Sequence, residues 1–259
     1  MTDRLYPIKE ELFNAHILPI IMKHTSVSGG RPPSISHYTC FCAMLKMLRV
    51  SIPWRDCPKE YGSWHTIYTR FKRWSENGLL WNIFFELKQS KIIEMDIVFM
   101  DSTTVKVHRH GLGARKKRGP QSISKNVAGN GTKIHVILAK DEPISIQLTG
   151  ANVHDSEPVI PMLSYLKNKE IKRFVADKGY DDNKIRSALN EINVRADIPP
   201  RKSRKEYRYY DNTVYKWRWR VEAFFGKIKE NRRLALRVDK LDVTFNAFIA
   251  LDLIKKLVC

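Results

Sequence analysis

Ile97-Val98-Phe99-Met100-Asp101-Ser102-Thr103-Thr104 is the stretch on which the fold turns. Its four leading residues form a short apolar run suited to a buried strand, ending in Asp101. The same texture recurs downstream. Lys133–Ala139 and Ser145–Leu148 read as strands joined by a turn at Asp141-Glu142-Pro143, and Arg173-Phe174-Val175-Ala176 reads as another, ending in Asp177. Asp155-Ser156 offers N-cap chemistry for a helix over roughly 157–167, and Asp181-Asp182 does so for one reaching Asn190. Val194–Ile198 predicts a strand stopped by Pro199-Pro200, and helices near 212–234 and 241–257 complete an α/β layout. Gly111–Gly131 reads as a basic loop.

Upstream of Lys91 the chain reads as helical. Cys40–Leu48 is mostly apolar, Thr66–Glu76 alternates apolar and basic residues, and Leu79–Leu87 is rich in large apolar side chains. Gly29-Gly30-Arg31-Pro32-Pro33, Ile52-Pro53 and Tyr61-Gly62-Ser63-Trp64 punctuate them. Short helices with tight connections, carrying Arg70, Lys72 and Arg73, suit a helix-turn-helix-like DNA-binding module. A helical bundle serving only as an interface fits the composition equally well. The expected division is a helical part over 1–90 and an α/β part over 91–259.

The 259 residues include 46 Lys+Arg against 27 Asp+Glu, a formal charge of +19, which predicts a polyanionic partner. Residues 1–96 hold 13 basic and 9 acidic side chains, so most of the excess lies beyond them. Residues 102–140 contain nine Lys/Arg and no acid. Arg201–Arg220 interleaves basic residues with Tyr207, Tyr209, Tyr210, Tyr215, Trp217 and Trp219, side chains that can neutralise phosphates and stack on unpaired bases. A solvated face over core aromatics reads the same way.

Several classes are set aside. No stretch approaches 18 consecutive apolar residues, so a membrane partner is not expected, and the N-terminus lacks a signal-peptide core. Cys40, Cys42, Cys57 and Cys259 form neither a disulfide framework nor a paired zinc motif, which suits a reducing cytosol. Without a phosphate-cradling glycine loop, no nucleotide cofactor is expected.

Active sites of open α/β sheets gather at the carboxyl ends of strands. Asp101 and Asp177 fall there and can share a hard cation such as Mg²⁺, although such aspartates also serve as turn or cap residues. The helix around Glu222 adds an independent sign. Tyr215, Arg218, Glu222, Lys229 and Arg233 fall within a stripe of about 60°. Val221, Phe224, Phe225 and Ile228 make an apolar stripe roughly 110° away. One acid among four Tyr/Arg/Lys neighbours reads as a metal ligand beside bound phosphates. A surface Arg218–Glu222 pair is the alternative.

Taken together these residues resemble the DDE transposases of the insertion-sequence five family. Asp101-Ser102-Thr103-Thr104-Val105-Lys106 resembles the family's first-aspartate strand, and Gly150-Ala151-Asn152-Val153-His154-Asp155-Ser156 its loop before a helix. Ala176-Asp177-Lys178-Gly179-Tyr180-Asp181 resembles the second-aspartate motif, and Tyr215, Arg218, Glu222 and Lys229 the Y-x2-R-x3-E-x6-K signature. Gly30-Arg31-Pro32-Pro33, Pro53-Trp54-Arg55, Tyr61-Gly62-Ser63-Trp64, Arg70-Phe71-Lys72-Arg73-Trp74 and Arg237-Val238-Asp239-Lys240 extend the similarity over roughly 30–255. Ser51 and Cys57 depart from the pattern, within the helical part.

The resemblance implies an RNase H-like mixed sheet flanked by helices, preceded by a small all-helical DNA-binding domain. It implies that Asp101, Asp177 and Glu222 hold two Mg²⁺ ions, with Mn²⁺ able to substitute. The implied reaction cleaves at insertion-sequence ends and transfers the freed 3′-hydroxyls to target DNA. Arg218 and Lys229 become candidates for the DNA backbone, joined by Tyr215, Arg233, Lys178 and Tyr180. Partners implied are double-stranded DNA and, because two ends must be joined, a second copy of the chain, in a bacterial cytosol at the nucleoid. The alternative is a catalytically silent, transposase-derived DNA-binding regulator.

Overall fold

The structure, a computed structural model, describes residues 6–25, 33–89, 96–114, 118–167 and 169–258. Gly30-Arg31-Pro32 and the basic run Arg115-Lys116-Lys117 lie outside the described residues. In chain order the elements are α1 (Glu10–Leu12), a π-helical turn, α2 (Leu18–His24), α3 (His37–Val50), α4 (Trp64–Glu76), α5 (Leu79–Gln89), β1 (Ile97–Val107), β2 (Ser124–Asn126), β3 (Gly129–Ala139), β4 (Glu142–Gly150) and α6 (Val159–Leu163). There follow β5 (Arg173–Val175), α7 (Asn183–Glu191), β6 (Arg195–Asp197), α8 (Asn212–Tyr215), α9 (Trp219–Lys229), α10 (Arg232–Ala235) and α11 (Asp242–Val258). The chain divides into two units. One takes Ile93–Val107 and Ser122–Lys227; the other takes Met1–Ile92, His108–Gln121 and Ile228–Cys259.

The first unit is a mixed sheet. β3 pairs antiparallel with both β1 and β4, while β1, β5 and β6 run parallel, giving the path β4-β3-β1-β5-β6 with β2 on β3. An antiparallel meander continued by parallel strands is the RNase H-like arrangement. The parallel strands need crossovers, and α6 and α7 supply them. Val98, Met100 and Phe174 project to one face and pack with Val159, Met162, Leu163, Ile185 and Leu189 from those helices. Side chains alternate along a strand, so Phe99 and Asp101 point to the other face.

Four expectations are corrected here. β1 does not end at Asp101 but runs on to Val107, because its antiparallel register with β3 continues from Asp101↔Val136 to Lys106↔Gly131. Its parallel pairing with β5 does stop earlier, at Phe99↔Val175. The expected loop 111–131 contains β2 and the first residues of β3. Asp155 is not a helix cap, for α6 starts only at Val159 with Pro158 in the capping position. The expected helix over 212–234 is broken into α8, a 3₁₀ turn at Lys216–Arg218, α9 and α10. Asp211 caps α8 by accepting from Thr213 and Val214 N–H.

The second unit is helical. Ser36 caps α3, whose residues Cys40–Leu45 are buried without interruption, so this helix is interior on nearly every side. α4 turns Ile67, Phe71 and Trp74 inward, and Asn77-Gly78, the glycine at φ 71, makes the tight link to α5. α11 packs on α3, α4 and α5, with Phe248 against Phe71 at 4.5 Å between ring centres. The helical core therefore draws on residues beyond 228 as well as on the N-terminal helices, which differs from a division at residue 90. Among the described residues no helix is long and apolar enough to cross a membrane.

Candidate active site

The site is assembled by register. Asp101 and Asp177 each lie two residues beyond the last parallel pair Phe99↔Val175, so both aspartates stand abreast, on one face, just past the end of the parallel pairing. The Asp101 carboxylate accepts the Ser102 N–H at 2.8 Å and the Arg218 guanidinium at 2.6 Å. Burial pushes its carboxyl above the ordinary aspartate range, the neighbouring Asp177 charge adds to this, and Arg218 only partly offsets it.

Arg218 sits in the 3₁₀ turn before α9 and also pairs with Glu222, four residues along. That guanidinium therefore links the first and third acids of the expected triad. Burial alone would lower the Arg218 pKa, but the Asp101 and Glu222 charges outweigh it and hold the guanidinium firmly protonated. Glu222 itself is well exposed on the first turn of α9.

Asp177 is positioned by a braced turn. It accepts the Gly179 N–H at 2.7 Å, and a Cβ at Gly179 would lie 2.8 Å from that same carboxylate oxygen. Arg201 donates to the carbonyls of Lys178 and Gly179, while buried Asp181 gathers Arg186, Arg204 and the Arg201 N–H. Asp182, not Asp181, caps α7 through the Lys184 N–H.

Behind this pair lies a network that sequence reading missed. Ser102 Oγ donates to Asp155 at 2.9 Å, Lys133 pairs with the same oxygen at 2.9 Å, and Lys133 also reaches the Val153 carbonyl. Burial raises the Asp155 carboxyl, but Lys133 and Ser102 outweigh it and hold the group below the ordinary range. Tyr180 is buried, with its phenol raised by burial and by the charges of Asp101, Asp155 and Asp177. It underlies the acids and is not available to a DNA backbone, a correction to its expected role.

Two more expected DNA contacts are interior. Arg70 is buried and donates to the carbonyls of Ile35 and Ser36. Arg233 is 3% exposed, clamps Asp239 through two hydrogen bonds and lies over the Phe248 ring. Both guanidiniums are spent on groups of the protein itself. Lys72, Arg73 and Lys178 are exposed, and Tyr215 is half-buried beside Tyr210. Lys229 ends α9 two helical turns after Glu222, its ammonium lowered by burial.

The three acids are oxygen donors of the kind a hard divalent cation takes. Asp101 and Asp177 fit such an ion as a pair, whereas Glu222 is turned to Arg218. Among the described residues no three His, Cys, Asp or Glu side chains converge on one ion position. Glu222 is held by Arg218 and stands apart from the Asp101–Asp177 pair.

Comparison with known proteins bears on this geometry. The family described as Transposase DDE domain matches residues 93–254, and an IS4/5 transposase family matches residues 10–84. A Brucella ovis protein named as a transposase for insertion sequence element IS6501 is 31% identical over 122 residues, covering 46% of this chain and 92% of that one. A Burkholderia cepacia protein named as a transposase for IS402 is 29% identical over 147 residues, covering 53% and 66%. Among solved structures, the piggyBac transposase synaptic complex with hairpin DNA is similar at 9% identity and a TM-score of 0.42, covering 80% of this chain. The chain spans about half (51%) of that piggyBac chain. The catalytic domain of Mos1 mariner transposase gives 14% identity and 0.28, covering 72% of this chain and 89% of that one.

Proposed function

Because this chain belongs to the DDE transposases, of the IS4/5 type, we propose that Asp101, Asp177 and Glu222 form its catalytic triad. The proposed reaction is cleavage at the ends of an insertion element and joining of the freed 3′-hydroxyls to target DNA. The observation that carries this reading is the register that sets Asp101 beside Asp177, with Arg218 tying Asp101 to Glu222.

In the cleavage step a water oxygen bonds to phosphorus as the bond from phosphorus to the 3′-oxygen breaks. In the joining step that 3′-hydroxyl attacks a target phosphodiester in the same way. Two divalent ions, held by the triad when bound, supply nucleophile activation and leaving-group stabilisation. The chain's own contribution is positioning and charge. Asp101 lies within β1 and Asp177 just past β5, and the Ser102–Asp155–Lys133 network holds the Asp101 segment in place from behind. Arg218, once it releases the acids, is free to grip a phosphate oxygen of the scissile strand with its fork of donors. Lys178, Tyr215 and Lys229 contact the backbone on either side.

Exposed Lys72 and Arg73 give the helical unit a cationic edge for duplex DNA. A pair of chains acts together, since two element ends are joined.

The test is a labelled duplex carrying the element's own end, incubated with Mg²⁺, with EDTA, and with Glu222→Ala. Cutting and joining that require both metal and Glu222 are expected. Tight end binding without cutting under any divalent ion would replace this reading with that of a silent DNA-binding regulator.

A further inference from the structure

The motifs Pro53-Trp54-Arg55, Trp64 and Val238-Asp239-Lys240 have no part in the chemistry above, yet the helical unit brings them to one cavity of about 700 Å³. Its first wall is a row on α4. Trp64, Tyr68 and Lys72 recur at i, i+4 and i+8 and so share one stripe, while Ile67, Phe71 and Trp74 fill the core behind them. Two aromatic rings followed by an ammonium thus line a single side.

The facing rim is cationic. Arg55, Arg118 and Lys240 line it, all exposed. Asp239 is the one carboxylate in the lining, and it is already consumed by the two hydrogen bonds from Arg233. Arg233 in turn lies over the adjoining rings of Phe248 and Trp54, at 4.5 Å and 5.6 Å from their ring centres. The floor is therefore internally neutral; Lys72 is paired with exposed Glu76 at 3.5 Å, and the free charge at the mouth, that of Arg55, Arg118 and Lys240, is positive.

We propose that this cavity binds an unstacked nucleotide, its base against Trp64 and Tyr68 and its phosphate among Lys72, Arg55, Arg118 and Lys240. Aromatic faces with adjoining cations are the chemistry that holds single bases and their phosphates. The volume lies within the roughly 300–1,000 Å³ of small-molecule sites. Exposed Arg55 covers the Trp64 ring at 5.9 Å, and a base taking its place on that ring releases the guanidinium to the phosphate. The nucleotide comes either from a DNA strand or from free solution.

The cavity shares no residue with the acid triad, so its test is run on the full chain in EDTA, where cleavage plays no part. Three probes carry 2-aminopurine: a duplex with the analogue as a single unpaired base, the same duplex fully paired, and the free 5′-monophosphate. The unpaired duplex is expected to bind at least tenfold more tightly than the paired one, with its fluorescence quenched by stacking. Trp64→Ala and, separately, Tyr68→Leu should each remove that preference and the quenching, while paired-duplex affinity stays within twofold. Trp64→Phe should keep both. Since the paired-duplex affinity also reports folding, a collapsed variant is recognised directly. Quenching of the free monophosphate as well, lost in the same variants, assigns the source to solution as much as to the strand. Equal affinity for paired and unpaired duplexes with no quenching of the monophosphate, or a preference that survives both variants, overturns the proposal.

Discussion

Arg218 is the residue on which the resting state of the acid site depends. A guanidinium between two carboxylates partly offsets the burial that raises the Asp101 carboxyl above its ordinary range. In the proposed reading, the same guanidinium competes with the divalent ions for these carboxylates. The neighbouring acid is set differently, by a backbone turn. Gly179 carries no left-handed strain, yet a methyl there would press on the Asp177 oxygen that its own N–H binds. Gly179→Ala is therefore expected to lower strand cleavage at least tenfold, because small displacements of a reacting group are costly. Its thermal midpoint should be unchanged. Equal loss of cleavage and stability would place Gly179 in the framework instead of the site.

At the scale of elements, β3 is the strand that sets the sheet, paired on both sides and buried from Ile134 to Ala139. It carries His135, fully enclosed and bonded to Thr149 Oγ1 at 2.7 Å, with burial pushing its imidazole down to about 4. The unfolded chain takes up a proton near pH 6.5 and the folded chain resists doing so until about 4. Stability is thus full above 6.5 and falls through that window, by ~3 kcal/mol for this shift. Urea unfolding of the protein between pH 7 and pH 4 should show that loss, and His135→Gln should show less of it; an identical loss in the variant would exonerate His135.

What was legible in the sequence follows from local chemistry. The apolar runs around Val98, Phe174 and Ile134 announce strands. The continuation of β1 past Asp101 was not legible, because polar Ser102, Thr103 and Thr104 stay in the strand only through pairing with β3. Asp155 and Lys133 were missed for a related reason: their partners lie far away in sequence. Arg70 and Arg233 misled, since a guanidinium spent on backbone carbonyls or on an interior carboxylate looks in sequence like one bound for phosphate.

At the scale of the molecule, the charge of +19 and the two-unit division are the features with consequences. The sheet unit lies within Ile93–Lys227, whereas the helical core needs α11, whose buried Phe245, Phe248 and Leu251 come much later. Removing the chain from Asp242 onward is expected to leave the sheet unit resistant to limited proteolysis and to expose α3, α4 and α5 to it. Survival of both units, or loss of both, would contradict that division.

The same layout has a temporal side. On a ribosome emitting roughly 5–20 residues per second, the sheet and its acids are complete while the helical unit still waits for its last helix. The half that cuts is thus finished before the half that, in our reading, chooses where to cut. During that interval the nascent chain carries cutting machinery with no address.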